Sequence, residues 1–108
     1  GKGNIIFTDL KTRRLTAYNL GAGNMQLSGM ALSSMIENDG SGLIDAMELE
    51  SKYLYAKVNA SGDIYSNVDY KIEAENNGSG DIKFTGEPFE TILSNAGNGK
   101  IQRLKIDV

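Results

Sequence analysis

Aliphatic residues and glycines recur together along this chain with a common period. A Gly-x-Gly unit stands at Gly1-Lys2-Gly3, Gly21-Ala22-Gly23, Gly40-Ser41-Gly42, Gly78-Ser79-Gly80 and Gly97-Asn98-Gly99, with a degenerate copy at Ala60-Ser61-Gly62. The second glycines are 20, 19, 20, 18 and 19 residues apart. Two positions after each comes one large apolar residue: Ile5, Met25, Ile44, Ile64, Ile82 and Ile101. Twelve positions after come Leu15, Met35, Leu54, Ala74 and Ile92; a weaker series, four positions after, is Phe7, Leu27, Ala46, Ser66 and Phe84. A fixed period of this size marks a solenoid, in which each turn buries what its neighbour covers. Each series is therefore expected to form one inward column.

Within a repeat the pattern is that of strands. Asp81-Ile82-Lys83-Phe84-Thr85-Gly86 alternates apolar and polar residues, and Tyr70-Lys71-Ile72-Glu73-Ala74 keeps the same period of two. Met30 to Glu37 also fits a helix, but it fills a slot that is strand-like in the other repeats. Two or three short strands per turn are expected, joined by bends at which glycine supplies positive φ or close backbone approach. The fold predicted is all-β: a single-stranded right-handed parallel β-helix of about five turns, with 18–20 residues per turn. At a rung spacing of about 4.8 Å it would form a rod roughly 24 Å long.

Asparagine recurs before the second glycine at Asn19, Asn38, Asn76 and Asn95, with Asn59 one place late. This is read as an internal amide ladder or a turn residue, in preference to a polar ligand site.

The chain has 108 residues, one domain's worth, and is read as a single β-helix domain over 1–108, whole or a piece of a longer repeat protein. Its net charge of −3 provides no basic stripe for nucleic acid. The densest basic cluster, Lys11-Arg13-Arg14, is read as a solvated turn. No apolar run is long enough to span a bilayer as a helix. Because the chain starts at Gly1, it is read as a processed or trimmed product.

The run from Asn59-Ala60-Ser61-Gly62-Asp63-Ile64 through Asn77-Gly78-Ser79-Gly80-Asp81-Ile82-Lys83-Phe84-Thr85-Gly86 to Gly97-Asn98-Gly99-Lys100-Ile101 resembles the bacterial head GIN domain, a family also labelled an autotransporter adhesin. The match is good over residues 40 to 104 and looser over 1 to 39. The resemblance implies a right-handed parallel β-helix that is secreted or held in the cell envelope of a Gram-negative bacterium. It carries over no catalytic residue.

The chain contains no histidine and no cysteine, which removes the Ser-His-Asp triad, imidazole metal sites, thiol catalysis and disulfides. Of the remaining groups, Asp63 and Asp81 each follow a second glycine and should lie on adjacent turns, with Asn24 and Asn4 in the same column in earlier turns. Such a pair could hold a Ca²⁺ ion or act as acid and base in glycan cleavage. Leu43 and Lys100 interrupt the column, and turn chemistry alone also selects Asp there. Tyr53 and Tyr55 share a strand face, with Tyr65 and Tyr70 nearby. Rows of tyrosine can stack sugars or anchor a protein, and strands favour them anyway. No cofactor is expected.

The function expected is a non-catalytic exported surface scaffold or adhesin-like binding module, with a glycan or a surface protein as partner. The alternative is a glycan-binding or polysaccharide-cleaving β-helix using the stacked aspartates. Ile5, Ile6 and Phe7 at one end, and Leu104, Ile106 and Val108 at the other, are expected to be uncapped and to pair like ends in a homodimer, with Lys2 and Lys105 limiting further growth.

Overall fold

The structure, a computed structural model, describes residues 5–104. Lys2, Lys105, Ile106 and Val108, invoked above for the ends, lie outside the described residues, as does Asn4. Strands β1 (Ile5–Asn19), β2 (Met25–Asn38), β3 (Ile44–Val58) and β4 (Ile64–Asn76) each trace most of one turn. The fifth turn is divided into β5 (Ile82–Thr85) and β6 (Glu90–Asn95), which pair with the two halves of β4. Strand β7 (Ile101–Arg103) lies on β5 and opens a sixth turn. Every pairing is parallel. The chain is thus a parallel β-solenoid of about five turns, with no helix among the described residues. Met30 to Glu37 lies within β2.

Two expectations need correcting. Short strands separated by bends occur only in the fifth turn. The four before it are continuous for 13 to 15 residues, and in the first two a positive-φ residue stands within the strand, Asp9 (55°) in β1 and Gly29 (129°) in β2. The molecule is also not a rod: its extents are 31 × 30 × 27 Å, so five rungs stack about as high as one turn is wide.

The column two positions after each glycine is as expected. Ile5, Met25, Ile44, Ile64, Ile82 and Ile101 are successive rung partners, and Ile44, Ile64 and Ile82 are completely buried. The weaker series is also internal, since Leu27, Ala46, Ser66 and Phe84 are all buried. The series at twelve is wrong. Leu15 stacks on Ser34, then Leu54, Ile72 and Thr91, whereas Met35 and Ile92 point outward and Ala74 belongs to the next inward column with Ile36 and Ala56. Turns differ in length through bulges between Phe7 and Leu10, between Ala46 and Glu50, and between Ser51 and Tyr53. A slip of one residue exchanges the two faces of a strand, so a count begun at the glycine loses register past the first bulge.

The glycines serve close approach. A Cβ on Gly42 would stand 1.9 Å from the Gly23 carbonyl oxygen, and one on Gly80 would stand 2.0 Å from that of Gly62. Neither glycine has positive φ. The second glycines therefore recur because backbone stacks directly on backbone at that corner.

The asparagines form no amide ladder. Asn38 bridges its own bend: its Nδ2 donates to the Gly42 carbonyl (2.8 Å), and its Oδ1 accepts from the Gly40 amide (3.0 Å). Asn19 and Asn76 repeat this arrangement, also buried. Each asparagine thereby satisfies polar groups of its own corner, and Asn38 and Asn76 also reach the next turn, donating to the Asp63 carbonyl (3.1 Å) and the Lys100 carbonyl (3.5 Å). Val58 fills the slot in the third turn, which moves Asn59 to the surface.

Candidate binding face

The outward columns carry the chemistry. At one corner the fourth turn holds one residue more than the third: Ser51 pairs Val68, but Tyr53 pairs Lys71, so Asp69 and Tyr70 lie where Lys52 stands alone below. A bulge of this kind re-aims a side chain. Tyr70 projects outward and meets Tyr53 edge-to-face, with centroids 5.4 Å apart and planes at 78°. Phe89 continues the row at 5.6 Å and 69°. It stands on the loop between β5 and β6, where Gly86 has φ of 101°. Arg103 steadies that loop, its Nε donating to the Gly86 carbonyl (3.0 Å) and its Nη2 lying 3.3 Å from the Glu87 carboxylate. Phe89 is 87% exposed, while Tyr53 and Tyr70 are a little under half exposed.

Beside the row runs a groove of about 330 Å³, lined on its outer side by Ser33, Met35, Tyr53, Tyr55, Lys71 and Glu73. Lys71 pairs with Glu90 at 3.7 Å. A second groove, about 470 Å³, lies on the other side of the same corner between Lys11 and Arg13 below, Met30 and Leu32 in the middle, and Glu50, Lys52 and Asp69 above. This is where two members of the basic cluster fall.

Of the residues singled out in the sequence, Tyr53 and Tyr55 share the first groove. Tyr65 does not join them. It stacks between Asp45 and Lys83, and the Lys83 ammonium sits 5.5 Å from its ring centroid. Asp63 and Asp81 do lie on adjacent turns, but one oxygen of each is engaged by backbone. Asp63 Oδ1 accepts from the Asp81 backbone amide at 2.8 Å, and Asp81 Oδ1 from the Lys100 amide at 2.9 Å. Asn24 accepts from Leu43 in the same way. The column is one of side-chain acceptors for the backbone donor one rung on, and Lys83 lies 4.0 Å from Asp81 Oδ2. Among the described residues no three carboxylates converge as a cation site. Phe89 was not singled out from the sequence; the signals for it were an aromatic after the only proline, in a loop interrupting a strand turn.

A polar clasp climbs another edge. The Tyr18 hydroxyl and the Asn59 amide both donate to Asp39, and Asn77 donates to Asn59 (3.3 Å) and Glu75 (3.0 Å). Glu75 also faces Lys57 at 3.3 Å. The Tyr18 hydroxyl, then the Asn59 amide, hold the Asp39 carboxyl below its ordinary value, and Tyr18 is raised in return. The Asn77 amide, then Lys57, lower Glu75, whereas partial desolvation pushes Glu37 up.

With this geometry in view, the comparisons place the chain. Residues 1–88 match the family described as "Putative auto-transporter adhesin, head GIN domain", and the chain belongs to that family. The match includes the early turns, where the resemblance in sequence was looser. A crystal structure of a putative adhesin from Bacteroides fragilis NCTC 9343 superposes with a TM-score of 0.91 at 31% identity. The alignment covers 94% of this chain and 46% of that one, so the chain spans about half the length of its solved relative. No curated protein matches the sequence.

Proposed function

We propose that the chain is a non-catalytic binding module, exported to the envelope of a Gram-negative bacterium, that engages a surface partner through the corner bearing Tyr53, Tyr70 and Phe89. The observation that carries this reading is the row itself. Three aromatic rings stand in a contiguous row open to solvent, two on the sheet and one, 87% exposed, on the loop between β5 and β6. Aromatic anchors on a fixed scaffold bind at low entropic cost. The use of one oxygen each of Asp63 and Asp81 as a backbone acceptor supports a structural role for the pair. Family membership supports export and adhesion.

The test is adhesion. Beads coated with the purified chain should be retained on some members of a panel of bacterial and animal-cell surfaces. Tyr70→Ala with Phe89→Ala should abolish retention, and Asp63→Asn with Asp81→Asn should preserve it in protein that remains folded. Release of reducing ends from polysaccharides, lost in the aspartate variant, would overturn the reading.

A further inference from the structure

The binding reading leaves its ligand open, and the chemistry around the row narrows it. Resting on that reading, the geometry points to a neutral glycan as the occupant, with sugar rings packed on Tyr70 and Phe89 and hydroxyls reaching the groove beside Tyr53.

Three observations carry this. The first is the shape of the row. Steps of 5.4 and 5.6 Å take three rings across three successive turns in a single file. Stable protein interfaces cover about 800 Å² per partner around a central apolar cluster. A file one ring wide is narrower than such a cluster, and with Met35 and Tyr55 beside it as well as Lys71 and Glu73 it suits a linear chain of rings. The apolar C–H face of a pyranose packs on an aromatic face, while its hydroxyls point sideways.

The second is the flanking polarity. Ser33, Lys71 and Glu73 line the groove together with Tyr53 and Tyr55. That set offers donors and acceptors side by side. It has no excess of either charge on the scale an ionic ligand would need, and Lys71 is already paired with Glu90. Alternating donors and acceptors match hydroxyl groups, which are both. The groove, at about 330 Å³, falls at the small end of small-molecule sites. The third is preorganisation. Tyr70 is set outward by a backbone bulge, and the loop bearing Phe89 is held by Arg103.

Titration calorimetry with short neutral oligosaccharides of glucose, mannose, galactose and N-acetylglucosamine tests the proposal, run beside the bead assay. At least one is expected to bind, about tenfold or more weakly to Tyr70→Ala, as for loss of a central aromatic anchor. Tyr70→Trp should retain binding, and so should Tyr65→Ala, which removes an aromatic outside the row. If oligosaccharides bind Tyr70→Ala and Phe89→Ala as well as the parent, the site is wrong. If none binds while Tyr70→Ala still abolishes bead retention, the partner is a protein, and the glycan inference fails with the binding face intact. If bead retention survives loss of both rings, the face itself is wrong. Binding confined to sulfated or uronic-acid oligosaccharides and abolished by salt would also overturn a neutral ligand.

Discussion

The first turn and the middle turns are built from the same residue types and behave differently. Ile5 and Ile64 occupy one column in the same register, yet Ile5 is 44% exposed and Ile64 is completely buried. Phe7 and Phe84 share another, with Phe7 half exposed and Phe84 buried. Strand β6, at the other end of the stack, is exposed at every position. No property of the residue separates the pairs; the number of neighbouring rungs does. Burial in a solenoid is conferred by stacking, so the energetic weight of a position follows its rung more than its identity.

The sharpest way to break this comparison is to place one charge at both heights. Ile64→Asp buries an unpaired carboxylate at a cost of several kcal/mol, a large part of the whole stability of a small domain. It is expected to yield an unfolded or aggregated product. Ile5→Asp should cost less than about 1 kcal/mol, as for a surface change. Thermal melts followed by circular dichroism give both. Equal losses at the two positions would mean that burial does not track the rung.

A middle-sized effect separates the corners. Asn38→Ala removes two donated bonds and one accepted bond from a buried bend, leaving Gly42 and Asp63 carbonyls and the Gly40 amide short of a partner. The cost should be about 3 kcal/mol. Asn95 makes the same bond to Gly99 (2.8 Å) but is exposed, and Asn95→Ala should cost only about 0.5–1 kcal/mol. Urea denaturation of the two variants measures the difference, and a cap that mattered equally at both heights would contradict it.

The smallest effect is in the clasp, whose side chains are all at least partly open to solvent. Because Asp39 is lowered in the folded state from an ordinary value of 3.8, its contribution is fully present above that pH and is lost as the pH falls through the folded value. Glu75 acts in the same direction, and Glu37, whose value is raised, acts in the opposite one. Any advantage in melting temperature of the parent over Asp39→Asn should therefore close on acidification below pH 3.8. An advantage that widened there would reverse the assignment.

What could be read in advance divides along the same physical line. The glycine period, the isoleucine column and the bend asparagines were legible because each is fixed by the corner at which its count starts. Leu15, Ser34, Leu54 and Ile72 were not, since bulges intervene and Ser34 meets Ser51 as a buried hydroxyl pair at 2.8 Å instead of an aliphatic contact. Asp63 and Asp81 were correctly placed on adjacent turns, but a sequence does not reveal that the oxygens accept from the next rung's backbone. Tyr53 was legible as an outward tyrosine, whereas its contact with Tyr70 depends on one inserted residue, and Phe89 joins them only through the loop between β5 and β6.

The asparagine that recurs at every described bend but the third has a consequence for how such a protein can change over generations. A turn whose corner bonds run within it or to the same backbone groups one rung on demands of its neighbours only matching shape and those repeated groups. Duplicating or deleting a whole repeat, cut at the same corner of each turn, should then leave no orphaned bond at the seam. Recombination between near-identical repeats would be tolerated where it preserves the period and rejected where it does not. A lineage could in this way vary the height of its binding corner, and the number of aromatic steps on it, without redesigning a core.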